Sequence, residues 1–187
     1  VALPLFQVKA NRRVIAKTRV ICHLQPMKTS FNTANDLPAD TRKTAAAILN
    51  QTLANLTDLY SQTKQAHWNV RGKYFFQLHK LFDELAGTVE EHIDPTAERI
   101  TALAAVANGT IRQAAAASAL KEFPTADAED LGFVIALIER YAQCAAAARK
   151  GIADTAAAGD ADSADLLTAV SRDLDKSLWF LEAHTRK

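Results

Sequence analysis

The stretch "KQAHWNVRGKYFFQLHKLFDELAGTVEEHIDPTAERI", residues 64–100, decides how this chain folds. Leading into it, Ala45, Leu49, Thr52, Leu56, Leu59, Thr63 and Ala66 step by three and four, one face of a helix that opens at Pro38 and Asp40. "NVRG" stops that helix, with Gly72 suited to the turn. A second helix begins at once: Phe75, Leu78, Phe82, Leu85 and Val89 keep the spacing, and Ile93, Thr96, Ile100 and Leu103 carry it on to "ANGT". Two long helices joined by a tight turn lie antiparallel.

Beyond this hairpin the pattern repeats. "IRQAAAASAL" reads as a short alanine-rich helix that stops before Pro124. A third long helix starts near Thr125, with Asp127, Glu129 and Asp130 favourable at its N-terminal dipole. Its expected buried face is Leu131, Ile135, Ile138, Ala142, Ala145 and Ile152. "AAAGDADS" is a break, and the fourth helix shows Leu167, Val170, Leu174 and Leu181, with Trp179 beside them. The fold expected is all-α: a four-helix bundle with a short extra helix in the middle crossover, which lets the second and third helices run parallel. No strand pattern, internal repeat or phosphate loop is present in the sequence.

Composition agrees and excludes some classes. With 6 glycines and 5 prolines in 187 residues, helix is favoured, and the length suits one domain with a real core. The longest apolar region, "LGFVIALIERYAQCAAAA", is broken by Glu139 and Arg140 and falls short of a membrane span. Cys22 and Cys144 form no metal or redox spacing, so this is no disulfide scaffold; a reducing cytoplasmic interior suits it. Charge is uneven. Residues 1–26 carry Lys9, Arg12, Arg13, Lys17 and Arg19 and no acid, which leaves −4 on the rest of a chain of net charge +1. The single methionine is Met27, ahead of the polar "KTSFNTANDLPAD". Met27 is therefore expected to be the true start, with 1–26 upstream sequence; a genuine basic arm or a targeting peptide are the alternatives. The organisation expected is a basic extension over 1–26, a flexible tail over 27–39 and the bundle over 40–187.

The chemistry sits on the hairpin. His79 and Asp83 are four apart and share a helix face, as do Asp94 and Glu98. In one continuous helix, Asp83 and Asp94 are eleven residues apart, about 20° beyond three turns, so all four lie on one stripe. They are also about 16 Å apart along the axis and cannot hold one ion. Two such helices packed antiparallel across a twofold would bring His79 and Asp83 of one chain to Asp94 and Glu98 of the other, giving two sites per dimer. His67, at the end of the first helix, could complete each site. Mixed imidazole and carboxylate donors suit iron, and also manganese or zinc. The bland alternatives are a solvated His–Asp pair, and a helix start at Asp94–Pro95.

These residues resemble the signature of the Dps family, the DNA-binding proteins from starved cells. The pattern is a His-Trp-Asn turn, a His twelve residues on, an Asp four after that, then Asp, three residues and Glu-Arg. "DSADLLTAVSRDLDKSLWFLEAH", residues 162–184, resembles the family's last helix, and the likeness spans about 40–184. The resemblance implies a ferritin-like bundle closed into a hollow homododecamer. It implies Fe(II) oxidised at intersubunit ferroxidase sites, as a pair or as one ion with a transient second, with hydrogen peroxide preferred, and Fe(III) mineralised inside. The ligands implied are His67, His79 and Asp83 from one chain and Asp94 and Glu98 from its mate. Lys64 and Trp68 would lie near the site. Asp160 and Asp165 resemble pore-lining acids, with first-turn acids at a helix N-terminus as the plainer reading. Two departures stand out. Pro95 falls where a helix interior should continue, and is expected to kink it and bear on the aim of Asp94 more than Glu98. "LAAVANGT" replaces the usual glycine pair and is expected to be harmless. A rival function is non-specific DNA compaction through a basic N-terminal arm.

Overall fold

A computed structural model of the chain describes residues 31–124 and 131–186. The described residues form six helices and no strand: α1 (Ala39–Asn69), α2 (Phe75–Glu90), α3 (Ile93–Ala102), α4 (Ile111–Ala117), α5 (Gly132–Ala157) and α6 (Ala161–Ala183). The basic segment 1–26, Met27 and the acids expected to open the third long helix lie outside the described residues.

Side-chain pairs fix the directions of the helices. His67 meets His79 and Lys64 meets Asp83, so α1 and α2 are antiparallel. Thr41 bonds the carbonyl of Ala158 and Thr63 meets Tyr141, so α5 is antiparallel to α1 as well. Hence α2 and α5 run parallel, as a long crossover requires. His92–Asp173 and Arg99–Asp160 set α6 antiparallel to α3. The result is the expected four-helix bundle, with α2 and α3 together forming its second rod.

That rod is broken, which corrects the continuous helix expected over 75–103. The cause is Pro95. It has no amide to give to the carbonyl of Glu91, and its ring crowds that carbonyl. The helix therefore closes at Glu91 and His92, whose amides bond the carbonyls of Gly87 and Val89, and restarts with Pro95 in the first turn of α3.

The core follows from the periodicity, with one change of phase. Leu78, Phe82, Leu85 and Val89 on α2 meet Leu56 and Leu59 of α1, Leu137 and Tyr141 of α5, and Val170 and Leu174 of α6. Toward the other end, Ala45, Leu49 and Leu53 pack on Ile100, Leu103 and Leu167. On α5 the buried face is Phe133, Val134, Leu137, Tyr141, Cys144, Ala145 and Ala148, whereas Ile135 is 61 % exposed. The alanine-rich sequence supports either phase, and the larger rings of Phe133 and Tyr141 claim the core. At Gly151 α5 comes close to its neighbours: a Cβ there would meet Leu167 at 3.0 Å and Ile48 at 3.2 Å.

The crossover is sewn to the polar face of α1. Asn50 takes the amide of Asn108 and donates to the carbonyl of Val106. Gln51 donates to the carbonyl of Ala117, Asn55 accepts from the amide of Ala119, Ser118 donates to Asp58, and Gln62 donates to the carbonyl of Lys121. These contacts advance along α1 from residue 50 to 62 as the crossover advances from 106 to 121. Inside it, α4 is closed by a capping box between Thr110 and Gln113. Arg140, itself buried, anchors the far end through Gln62 and the carbonyl of Glu122.

Candidate metal centre

His67 stands in the last turn of α1 and His79 in the second turn of α2, brought together by the turn that contains Gly72. Their rings stack with centroids 3.8 Å apart. Each is fastened to the other's backbone: Nδ1 of His67 lies 2.7 Å from the carbonyl of His79, and Nδ1 of His79 lies 2.9 Å from the carbonyl of His67. A carbonyl only accepts, so both Nδ1 atoms carry the proton. In the neutral ring Nε2 then keeps the lone pair through which imidazole ligates a metal.

Asp83, one turn beyond His79, lies 3.8 Å from Nε2 of His67 and accepts a hydrogen bond from Nζ of Lys64 at 2.7 Å. The Lys64 contact is the main reason that the Asp83 carboxyl is held below its usual range, so it is ionised at neutral pH. Two imidazoles and a carboxylate thus lie side by side, with Lys64 as the counterion of Asp83.

The other two expected ligands are elsewhere on the chain. Asp94 and Glu98 project from α3, one turn apart and exposed. The turn at Glu91 and His92 separates the two pairs, so they stand on two helices and not on one continuous helix. Among the described residues, no three His, Cys, Asp or Glu side chains of one chain converge as a metal site would require.

The remaining candidates separate clearly. Trp68 is 67 % exposed, and Tyr74, Phe75 and Phe76 are exposed on the adjoining turn and start of α2. Asp160 is not presented to solvent as a pore acid would be. It is 1 % exposed, accepts from the amide and hydroxyl of Ser163 as the N-cap of α6, and pairs with Arg99 at 2.7 Å. Burial works against its ionised form, but the Ser163 and Arg99 contacts outweigh it and hold the carboxyl below its usual range. Asp165 is exposed. Sequence reasoning missed His92, whose Nε2 lies 2.9 Å from Asp173, and Arg99, which braces α3 against α6. Their spacing of seven residues, placing both on one helix face, was the available signal.

Comparison with known proteins agrees with this architecture. Residues 46–187 match the ferritin-like domain family. The "DNA protection during starvation protein" of Agrobacterium fabrum is 45 % identical over 161 residues, covering 86 % of this chain and 99 % of that protein. DpsC from Streptomyces coelicolor superimposes with a TM-score of 0.81 at 32 % identity, over 85 % of this chain and 93 % of that one. The Dps protein of Vibrio cholerae, described as a member of a broad superfamily of ferritin-like diiron-carboxylate proteins, gives 0.77 at 28 % identity, over 84 % and 100 %. A bundle with this crossover, carrying paired imidazoles and carboxylates on its hairpin and matching these relatives over nearly its whole described length, belongs to the Dps family of ferritin-like proteins.

Proposed function

We propose that this protein is a ferroxidase. It oxidises Fe(II), its substrate, at sites shared between two subunits and stores Fe(III) within a dodecameric shell. The observation that carries the reading is the histidine clasp: two imidazoles with Nδ1 committed to backbone carbonyls and Nε2 free, beside an ionised Asp83. The ring of His79 satisfies a carbonyl in the last turn of α1, and the ring of His67 adds a bond to the carbonyl of His79 within α2. It holds two donors before iron arrives.

A partner completes the site. Asp94 and Glu98 of one chain complement His67, His79 and Asp83 of the other across a twofold, and the exposed aromatics Trp68, Phe75 and Phe76 supply the apolar surface that such a contact covers. Three carboxylates and two neutral imidazoles give a donor set of net charge −3, suited to stabilising Fe(III) over Fe(II). Fe(II) entering the half-site displaces Lys64 from Asp83, so the lysine keeps the empty carboxylate neutralised and moderates affinity. Hydrogen peroxide is the oxidant of this reading. Two Fe(II) each give one electron, the O–O bond breaks, and with two protons the products are two Fe(III) and two waters. No hydroxyl radical is released, and the ferric product hydrolyses and mineralises inside the shell. Asp165 remains the candidate pore acid.

The test is the double variant His67→Ala/His79→Ala. Rapid peroxide-driven oxidation is lost while helicity and native mass, near twelve times 20.3 kDa, are kept. Wild-type oxidation in that variant would overturn the assignment. A second reading, non-specific DNA binding, is favoured by the +5 charge of residues 1–26 and by the DNA-protection name of the Agrobacterium relative.

A further inference from the structure

We propose that the His92–Asp173 pair is a positioning device for the carboxylate half of the site: it fixes α3 and thereby the aim of Asp94 and Glu98. The proposal rests on the ferroxidase reading above. α3 has only ten residues and is cut from α2 by the Pro95 turn, so its direction is not inherited from the longer helix. Its fully buried residues are Thr96 and Ile100, with Ile93 and Ala97 partly buried against the core. The joint itself is centred on His92. The carbonyl of His92 accepts both the amide of Thr96 at 3.3 Å and its hydroxyl at 2.7 Å, while the ring Nε2 bonds Asp173 of α6 at 2.9 Å.

Helix geometry shows what this pin controls. Arg99 is seven residues beyond His92, on the same face, and reaches α6 through Asp160 and Ser163. α3 is therefore braced to α6 at both ends. Asp94 and Glu98 lie about 200° and 240° around the axis from His92, so the braced face points away from the carboxylates and leaves them exposed. Release of the His92 end lets α3 pivot about Arg99. Asp94, nearer the freed end and beside the Pro95 joint, moves more than Glu98.

The experiment measures Co(II), a divalent mimic of Fe(II), titrated calorimetrically into assembled shells without peroxide, alongside Fe(II) oxidation kinetics. Asp173→Ala is expected to weaken Co(II) binding about tenfold, the low end for loss of a group supporting a ligand. The Fe(II) concentration at half-maximal rate rises and the maximal rate changes little. Asp173→Asn keeps an oxygen that accepts from Nε2 and is expected to restore wild-type affinity. Asp175→Ala, which removes the exposed Arg149–Asp175 pair from the same helix, is the control and stays at wild-type affinity. Should Asp173→Ala fail to assemble, His92→Ala carries the same expectation. Affinity in either variant no weaker than in Asp175→Ala overturns the proposal. Glu98→Ala separates the two claims: if it leaves Co(II) affinity unchanged, the metal reading itself fails; if it abolishes binding while Asp173→Ala does not, the positioning role alone fails.

Discussion

Asp160 was open to two readings from sequence, a pore-lining acid or an acid at a helix N-terminus, and the fold gives the second: its carboxylate caps α6 and is buried between Ser163 and Arg99. That arrangement has a pH signature. Its folded pKa is depressed below the ordinary 3.8, so the stabilisation is fully present above that value and is lost as pH falls through the folded one. In urea unfolding across the acid range, Asp160→Asn is expected to be less stable than wild type near neutrality, with the two curves converging as acid removes the wild-type advantage. A constant gap at every pH would contradict this. Ala104 is a second case. The alanine pair that replaces glycines in "LAAVANGT" looked neutral, yet Ala104 has φ 62°, the left-handed position that closes α3, with the amide of Ala105 bonding the carbonyl of Ile100. An L-residue there costs about 1 kcal/mol, so Ala104→Gly is expected to raise stability by about that amount in chemical unfolding. Sequence alone hides this because the backbone angle, unlike the side chain, is set by how the helix ends.

The two hairpins, the short helix and the crossover were legible as elements because apolar residues at three-four spacing admit one helix face. Two features were not. The phase of α5 is ambiguous where alanines fill both faces, and packing against α6 and α1 settles it for Phe133 and Tyr141 over Ile135. The stitching of the crossover was unreadable because it pairs side chains with backbone groups about sixty residues away. Asn55 sits at its centre, 5 % exposed, accepting from Gln51 and from the amide of Ala119. Asn55→Ala strands that amide and is expected to cost about 2 kcal/mol. Thermal and denaturant unfolding check it; a loss near zero would mean that the crossover is held by its apolar contacts alone. A kink between α2 and α3 was expected at Pro95, but the closing of α2 at Glu90 and the restart at Ile93 as a separate helix were not.

At the scale of the whole molecule, the candidate ligands of one chain do not converge among the described residues, and the net positive charge sits in the first 26 positions. The second fact bears on DNA. Chains beginning at Val1 carry five positive charges per arm, whereas residues 27–187 sum to −4. Shells of the longer chain are expected to retard DNA at low salt and release it as salt rises, and shells of the shorter chain to bind little. Equal gel-shift affinity would move the contact to the shell surface. The first fact bears on iron, and it gives the most direct test of the central claim that each site takes ligands from two subunits. Two inactive variants are co-expressed: His67→Ala/His79→Ala, and Asp94→Ala/Glu98→Ala. In a mixed dimer one site combines the intact histidines of one chain with the intact carboxylates of the other, and the second site has neither. With random mixing, peroxide-driven Fe(II) oxidation is expected to recover to about a quarter of the wild-type rate, from two parents that show none. Mixed shells as inactive as their parents would contradict the account.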